Sequence, residues 1–164
     1  MSKSEENLKA AFAGESQANR KYLAFAKKAE QEGFKQAAKL FRAAAAAETV
    51  HAHAHLRVLG GINSTKENLN EALGGETHEF TSMYPAMIAE AKAEGNKAAE
   101  RSFDYANEVE KIHATLYKKA IDDLGNNKET DYYVCQVCGN TVEGGAPDKC
   151  PICNAPKSSF DKID

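Results

Sequence analysis

The chain has 164 residues and a mild formal net charge of −3, with 21 Lys and Arg residues interspersed among 24 Asp and Glu residues. Because neither sign of charge clusters, we expect no surface for nucleic acid or for a membrane. No stretch approaches the roughly 18 consecutive apolar residues of a spanning helix, and the N-terminus lacks an apolar signal core, so we expect a soluble, cytoplasmic protein.

Composition divides the chain into two parts. The first 130 residues are rich in Ala, Glu and Lys and contain one proline, Pro85, whereas all four cysteines lie at residue 135 or beyond. This change predicts a helical domain at 1–126, a linker at 127–131 and a small domain at 132–164. In a reducing compartment, paired Cys-x-x-Cys motifs indicate bound metal rather than disulfides.

Helix signals in the first part predict four helices. Ser2-x-x-Glu5 and Ser64-x-x-Glu67 are capping-box patterns that would start the first and third helices. The predicted helix ends are marked by Gly33, Gly60-Gly61, Gly95 and Gly125. The expected fold class is an all-α four-helix bundle, followed by a small metal-knuckle domain with little regular structure.

The first part is an internal duplication of a helical hairpin. A shift of 62 positions superposes Glu48 on Glu110 and His51 on His113. Residues three apart share a helix face, so each Glu-x-x-His pair points a carboxylate and an imidazole into the same space. Two such helices, with a Glu from each of two more, form the ligand set of carboxylate-bridged di-iron bundles.

Five carboxylates lie on the apolar stripes of these helices: Glu15, Glu48, Glu76, Glu79 and Glu110. Burying one unpaired carboxylate costs several kcal/mol, and Lys and Arg are absent from the stripes. Metal ions are the remaining counter-charge. A mixed set of oxygen and imidazole ligands suits iron or manganese better than thiolate-preferring or all-oxygen-preferring ions.

Histidines and tyrosines near these carboxylates are further candidates. The repeat equivalence of His51 and His113 favours ligands over core histidines, whereas His55 has a tyrosine as its repeat partner and is expected to be structural or to support the ligands. Tyr22 and Tyr84 are related by the repeat and flank the carboxylates. Core packing and hydrogen bonding to the ligands are equally expected for both tyrosines.

The third helix breaks the symmetry of the repeat. Glu79 corresponds to Gln17 or Ala18 in the first half, so only one side of the site gains an extra carboxylate. Pro85 lies in the same helix, where it should remove a backbone hydrogen bond and kink the helix one to two turns after Glu79.

The cysteine-containing tail has two knuckles, Cys135-Gln-Val-Cys138 and Cys150-Pro-Ile-Cys153, separated by eleven residues. Two such loops converge into a tetrahedral four-thiolate site. The expected apolar core is too small to fold this domain without metal, and it consists of Tyr132, Tyr133, Val134, Phe160 and Ile163. Ligand chemistry does not separate iron from zinc: iron would make the tail a one-electron carrier, and zinc a structural or binding module.

With both sites placed, the chain resembles rubrerythrin, a ferritin-like di-iron bundle followed by a rubredoxin-like domain. The resemblance covers nearly all of the sequence. It is carried by Ala13–Ala18, Glu48–His51, Gly75–Glu79 with Met83-Tyr84-Pro85, Glu110–His113, and the two knuckles with Gly139 and Pro151. Asn154 stands where rubredoxins usually have glycine after the last cysteine, and asparagine tolerates the left-handed conformation needed there.

The resemblance implies a set of metal sites and residue roles. Two iron ions, oxo-bridged when oxidised, would occupy the bundle, and one iron the site of Cys135, Cys138, Cys150 and Cys153. Glu48 and Glu110 would bridge the pair. Glu15 would be a terminal ligand of one iron, and Glu76 with His113 of the other. Glu79 in the oxidised state and His51 in the reduced state would alternate as ligands of the first iron. Tyr22 and Tyr84 join Glu79 and His51 as candidate catalytic residues.

The resemblance also implies an activity and partners. The activity is reduction of hydrogen peroxide to water by a non-haem di-iron peroxidase in oxidative-stress protection. Electrons would pass singly through the tail iron from rubredoxin or an NAD(P)H-dependent reductase. The family is dimeric, with the tail iron of one subunit near the di-iron site of its partner, and some members exchange helices. The alternatives are a ferritin-like ferroxidase or iron-storage protein and a zinc-stabilised interaction module.

Overall fold

The protein is described by a computed structural model that covers residues 2–164. Its contacts group the chain into two compact units, Met1–Asn63 and Ser64–Asp164. The division between them falls where the sequence repeat begins again. The domain boundaries expected from composition, with a linker at 127–131, stay a prediction.

The first unit is a hairpin of two long helices, α1 (Lys3–Gln31) and α2 (Lys35–Val58). Ser2 closes the predicted capping box: the Ser2 hydroxyl accepts from the Glu5 amide at 3.2 Å, and the Glu5 carboxylate accepts from the Ser2 amide at 2.9 Å. Gly33 makes the turn with φ of +85°, a conformation that strains residues with a side chain. The predicted start and end of this hairpin are confirmed.

Small side chains form the buried face of this hairpin. Ala38, Ala45 and Ala52, spaced seven residues apart, are buried on α2, and Ala26 and Ala29 are buried on α1. Since alanine adds little beyond the backbone, two helices that meet through alanines can approach closely. This close approach is what the alanine-rich sequence of α2 predicts.

The helices of the second unit are α3 (Thr65–His78), α4 (Tyr84–Ala93) and α5 (Lys97–Asp122), and a π-helical segment, Glu79–Met83, joins α3 to α4. The segment α3 to α4 is the predicted third helix, and Ser64 caps it through the predicted capping box with Glu67. In the π segment, the Tyr84 amide donates to the carbonyl of Glu79, five residues earlier. The widened turn lies just before Pro85, so the predicted interruption takes the form of a π bulge.

The cysteine-containing tail folds around a three-stranded antiparallel sheet of order β2-β1-β3. The strands are β1 (Tyr132–Cys135), β2 (Thr141–Glu143) and β3 (Phe160–Ile163), and a 3₁₀ turn, Lys157–Ser159, precedes β3. Cys135, Cys150 and Phe160 are its buried centre. The predicted core was right for Tyr133 and Phe160 and wrong for the other three members. Tyr132 and Ile163 are 36% and 50% exposed and are paired at the end of the β1–β3 ladder. Val134 is half-buried but is not among the residues packed against this centre.

The tail contacts the middle and the C-terminal part of α5. Lys119 of α5 forms an ion pair with Glu143 of β2 at 2.6 Å. The Val109 side chain lies under Gly139, where an added Cβ would come within 3.7 Å of it. Counting α3, the π segment and α4 as one, the fold has four helices followed by a small stranded knuckle domain, and the predicted fold class is confirmed. In residues 2–164 no helix is both long and apolar enough to cross a membrane.

Candidate metal centres

The first unit carries one cluster of metal-ligand type. Glu15 from α1 and Glu48 and His51 from α2 each offer a ligand atom, and these atoms lie within 4.8 Å of one another. Glu48 Oε2 is 3.0 Å from His51 Nδ1. The Glu48 side chain is 18% exposed and that of His51 is 56% exposed. The repeated motif therefore builds one half of the predicted ligand set from one hairpin.

The second unit repeats this arrangement. Glu76 from α3 and Glu110 and His113 from α5 form the corresponding cluster. Glu110 Oε2 lies 2.8 Å from His113 Nδ1, and Glu76 Oε2 lies 3.6 Å from the same nitrogen. All three side chains are mostly buried. The two halves of the sequence repeat therefore form clusters of the same composition and similar geometry.

Burial makes negative charge costly in the second cluster. Desolvation raises the pKa of the Glu76 carboxyl, and the hydrogen bond and negative charge of Glu110 raise it further. Desolvation also raises the pKa of Glu110, with a contribution from the charge of Glu79. A cation bound among these carboxylates would remove that cost, and the oxygen and imidazole donors suit iron. The residues present therefore fit the di-iron site that their pattern predicts.

Glu79 is the first residue of the π segment. Its charge raises the pKa of Glu110 and of Tyr84, so its carboxylate lies close enough to act on the second cluster. It is outside the group of ligand atoms that lie within 4.8 Å of one another. The structure thus brings together Glu76, Glu110 and His113. It places the additional carboxylate, that of Glu79, near this cluster on the π-helical turn.

The two candidate tyrosines have similar ring contacts. The Tyr84 ring lies 6.3 Å from that of Phe103, and the Tyr22 ring lies 6.2 Å from that of Phe41. Burial raises the pKa of the Tyr84 phenol, and the charges of Glu110, Glu79 and Glu76 raise it further. Tyr84 is therefore a neutral phenol beside the carboxylates, packed as a core residue.

The four cysteines form a compact tetrathiolate site. Cys135 Sγ lies 3.7 Å from Cys153 Sγ, and Cys138 Sγ lies 3.5 Å from Cys150 Sγ. A tetrahedron with metal–sulfur bonds of about 2.3 Å has edges of about 3.8 Å, whereas a disulfide bond measures about 2.05 Å. The cysteines are free thiols at the spacing that a single metal ion requires.

The thiols of this site differ in how readily they lose a proton. Burial raises the pKa of Cys138 well above its usual range. Burial also acts on Cys150, but backbone amides of Cys153 and Ile152 and neighbouring thiols outweigh it and lower the pKa of Cys150 to about 7. Because one thiolate forms near neutral pH while another resists ionisation, a bound cation is needed to complete the ligand set.

Both knuckles have the same backbone geometry. The Gly139 amide donates to the Cys135 carbonyl at 2.8 Å, and the Asn154 amide donates to the Cys150 carbonyl at 2.9 Å. Gly139 has φ of +84° and Asn154 has φ of +61°. Asn154 therefore adopts the left-handed conformation predicted for it and performs the role of the glycine.

Two residues at these centres were missed by sequence reasoning. Asn140 is fully buried and its Nδ2 lies 3.6 Å from Cys150 Sγ. Thr141 Oγ1 lies 2.9 Å from Nε2 of His113, although the two residues are 28 positions apart. No spacing rule connects these pairs, because the Asn140 contact depends on how the tail folds on itself and the Thr141 contact on how the tail packs against α5.

Comparison with known proteins agrees with this arrangement. The family model described as Rubrerythrin matches residues 6–121, and the model described as Rubrerythrin, rubredoxin-like domain, matches residues 133–161. These matches imply a di-iron site in the helical region and one iron at the four cysteines, which confirms the predicted cofactors.

Similar proteins extend over the whole chain. Nigerythrin of Nitratidesulfovibrio vulgaris is 38% identical, over 94% of this chain and 84% of its own length. Rubrerythrin-2 of Clostridium acetobutylicum is 36% identical, over 93% of this chain and 92% of its own length. A solved structure titled as the fully reduced, all-ferrous state of nigerythrin matches with a TM-score of 0.61 and 36% identity, covering 99% of this chain and 88% of that one. The chain belongs to the rubrerythrin family.

Proposed function

We propose that this protein reduces hydrogen peroxide to water, with electrons delivered through its four-cysteine iron site. Membership of the family supports a di-iron oxidoreductase of oxidative-stress protection. Peroxide reduction with internal electron delivery is supported by one observation: the four cysteines and the cluster of Glu76, Glu110 and His113 lie in the same compact unit. In that unit, Thr141 of the cysteine-containing tail contacts His113 of the carboxylate cluster. A storage site has no need of a second, one-electron centre at its edge.

The proposed iron ligands are those that the repeat and the tail supply. In the helical region they are Glu15, Glu48, His51, Glu76, Glu79, Glu110 and His113, and in the tail they are Cys135, Cys138, Cys150 and Cys153. When bound, a diferrous pair supplies the two electrons that convert one hydrogen peroxide and two protons into two waters. The tetrathiolate site supplies replacement electrons one at a time.

The protein's own residues set the conditions for this reaction. Glu76 and Glu110 lose the cost of their burial once cations are bound, so the metal-bound site is electrostatically favourable. Tyr84 keeps its proton because its pKa is raised, so its hydroxyl can donate a hydrogen bond toward oxygen atoms at the site. Both effects depend on groups held on α3 to α5.

Glu79 and His51 are proposed to exchange as ligands of one iron. A ferric ion favours an additional carboxylate, whereas a ferrous ion tolerates a neutral imidazole. Support comes from the placement of Glu79 on the π segment, since single π-helical turns within α-helices occur frequently at functional sites. The charge of Glu79 already acts on Glu110 without joining its cluster.

The proposed electron donor follows from the tetrathiolate site, because a one-electron centre needs a one-electron source. We expect rubredoxin or an NAD(P)H-dependent reductase as the electron donor, a homodimer or other small oligomer as the assembly, and a cytoplasmic location. The placing of a tail iron near the partner subunit's di-iron site stays a prediction. In this chain the tail contacts its own α5, beside Glu76, Glu110 and His113.

Steady-state turnover tests the proposal. The iron-loaded protein, mixed without oxygen with NADH, a rubredoxin reductase, rubredoxin and hydrogen peroxide, should consume NADH and peroxide in equal amounts. A protein with verified iron in all sites that consumed no peroxide above the rate of the donor system alone would contradict the proposed activity.

A ferritin-like ferroxidase is the second candidate. It is favoured by the duplicated Glu-x-x-His clusters, which by themselves need no cysteine-bound metal. Ferrous iron added in air discriminates the two functions. A storage protein would retain iron well beyond its three ligand sets and assemble into a large hollow shell, whereas the peroxide reductase would remain a small oligomer that releases the excess.

A further inference from the structure

A chain of two hydrogen bonds connects the cysteine knuckle to the carboxylate cluster. The Thr141 hydroxyl donates to the Gly139 carbonyl at 3.1 Å, and Thr141 Oγ1 lies 2.9 Å from His113 Nε2. Gly139 directly follows Cys138, which is part of the tetrathiolate set. The opposite ring nitrogen, His113 Nδ1, lies 2.8 Å from Glu110 Oε2. Every one of these contacts lies within the second unit.

The hydroxyl of Thr141 favours one ring nitrogen of His113 as the carrier of hydrogen. A hydroxyl has one hydrogen, and Thr141 Oγ1 donates it to the Gly139 carbonyl. With its hydrogen engaged there, the oxygen is an acceptor for Nε2–H of His113, which favours that tautomer. In a neutral imidazole this leaves the lone pair on Nδ1, pointing at the carboxylates of Glu110 and Glu76. A lone pair facing carboxylate oxygens is unfavourable by itself and becomes favourable when a metal ion lies between them.

We propose that Thr141 is a positioning residue that presents Nδ1 of His113 to the bundle metal and couples that ligand to the Cys138–Gly139 knuckle. The coupling role rests on the function proposed above, whereas the positioning role needs only a bound metal. The path runs from Cys138 through the peptide bond to the Gly139 carbonyl, through the Thr141 hydroxyl, and onto the imidazole ring of His113. It is a route within one chain, separate from any route between subunits.

Electron transfer along this path moves one electron between the two metal sites and breaks no chemical bond. Iron held by Cys135, Cys138, Cys150 and Cys153 would supply one electron to iron held by Glu76, Glu110 and His113, so that one centre would be oxidised as the other is reduced. Both hydrogen-bonded protons stay where they are. Two such transfers restore the two electrons that one hydrogen peroxide consumes.

Four variants separate this role from a structural one. Thr141→Val removes the hydroxyl and keeps the shape and strand preference of the side chain. Thr141→Ala also removes the hydroxyl and leaves a smaller side chain. Thr141→Ser restores the hydroxyl. Thr115→Val is the matched control, because the Thr115 hydroxyl on α5 bonds only within its helix, to the Lys111 carbonyl. Strand β2 pairs with β1 through backbone hydrogen bonds that none of these changes removes.

The positioning role is tested by nitrogen-15 NMR of histidine-labelled full-length protein loaded with diamagnetic Zn(II). We expect His113 to be metal-bound at Nδ1 with a slowly exchanging Nε2–H. Thr141→Val and Thr141→Ala should speed that exchange and weaken Zn(II) binding at the bundle about 10- to 100-fold, the usual effect of losing such a supporting contact. Thr141→Ser and Thr115→Val should match the unaltered protein. Unchanged exchange and affinity in both apolar variants would overturn the positioning role.

The coupling role is tested with the iron-loaded protein by flash reduction of the tetrathiolate iron. Its reoxidation by the ferric bundle should slow about tenfold or more in Thr141→Val and Thr141→Ala, and return toward the original rate in Thr141→Ser. Equal rates in all variants would overturn the coupling. If peroxide turnover were absent while the NMR response to Thr141→Val persisted, the proposed function would fail and the positioning role would stand. Normal peroxide turnover in every Thr141 variant, together with unchanged reoxidation rates of the tetrathiolate iron, would leave the proposed function standing and overturn the coupling.

Discussion

The side-chain amide nitrogen of Asn140 lies 3.6 Å from Cys150 Sγ, inside a domain where Asn140 is fully buried. An N–H group that donates to a metal-bound thiolate stabilises the state with more negative charge on sulfur, which is the reduced state. Hydrogen bonds to sulfur are among the main determinants of the potential of iron–thiolate sites. Asn140 is therefore expected to raise the reduction potential of the tail iron.

Replacing Asn140 by leucine, which has the same number and branching of side-chain heavy atoms but no amide, should shift the reduction potential of the tetrathiolate iron to a more negative value. Redox titration of the iron-loaded protein followed by visible absorbance measures the shift. Gln136→Leu is the control, since the Gln136 amide lies in the same knuckle but donates to the Val134 carbonyl. A potential that changed equally in both variants would mean that Asn140 acts through packing alone.

Cys138→Ser should separate the two iron centres functionally. Because the replacement disrupts the tetrathiolate site, steady-state peroxide reduction with a rubredoxin-type donor should fall at least tenfold, an order-of-magnitude expectation for loss of a ligand contact. Single-turnover oxidation of a chemically pre-reduced bundle should be mostly retained. Stopped-flow absorbance and a coupled NADH assay measure the two rates. Equal losses in both assays would contradict the relay.

Glu79→Ala should leave a diferrous site able to form but slow its oxidation by peroxide, since the carboxylate that favours the ferric state is missing. We expect about a tenfold loss or more in the single-turnover rate, as for other groups that support a metal site. Glu90→Ala is the matched control, because Glu90 lies on α4 but is exposed. If Glu79→Ala and Glu90→Ala oxidised at the same rate as the unaltered protein, the ligand exchange would not apply here.

Metal removal should make stability depend on pH in a specific direction. The folded-state pKa values of Glu76 and Glu110 are raised above 4.5, so the folded metal-free protein binds more protons than the unfolded chain. Its stability is therefore fully present below pH 4.5 with respect to these groups, and is lost as pH rises through the raised pKa values. Urea unfolding of the metal-free protein across this window measures the effect.

Glu76→Gln supplies the control for this measurement, because the amide keeps the shape of the carboxyl and does not titrate. The metal-free variant should lose less stability than the parent as pH rises. Metal-loaded parent protein should show the opposite dependence, with metal released as the carboxylates protonate at low pH. A metal-free parent whose stability rose steadily across the window would contradict the assigned direction.

Local signals in the sequence predicted much of this fold. The capping boxes at Ser2 and Ser64 depend on residues three apart, and the left-handed Asn154 depends on the geometry of one knuckle, so neighbouring residues determine each of them. The π segment was not predicted. Pro85 indicates that the helical register must change, but whether the helix kinks or takes in an extra residue depends on the packing of α3 to α5.

The candidate sites were predictable in their ligand types but not in their supporting contacts. The Glu-x-x-His and Cys-x-x-Cys spacings bring together side chains of one helix or one knuckle, whatever the rest of the chain does. Thr141 and His113 meet only because the tail packs on α5. Tyr132 and Tyr133 were both assigned to the core, but successive side chains of strand β1 point to opposite faces, so only Tyr133 packs against the buried centre.

Rapid mixing measures whether the reduced protein reacts with peroxide in preference to dioxygen. Fully ferrous protein is mixed in a stopped-flow instrument with hydrogen peroxide in one series and with dioxygen in another, at matched concentrations, and oxidation is followed by absorbance. We expect peroxide to oxidise both the bundle irons and, through them, the tail iron much faster than dioxygen does. Oxidation by peroxide that was no faster than oxidation by dioxygen would contradict this expectation.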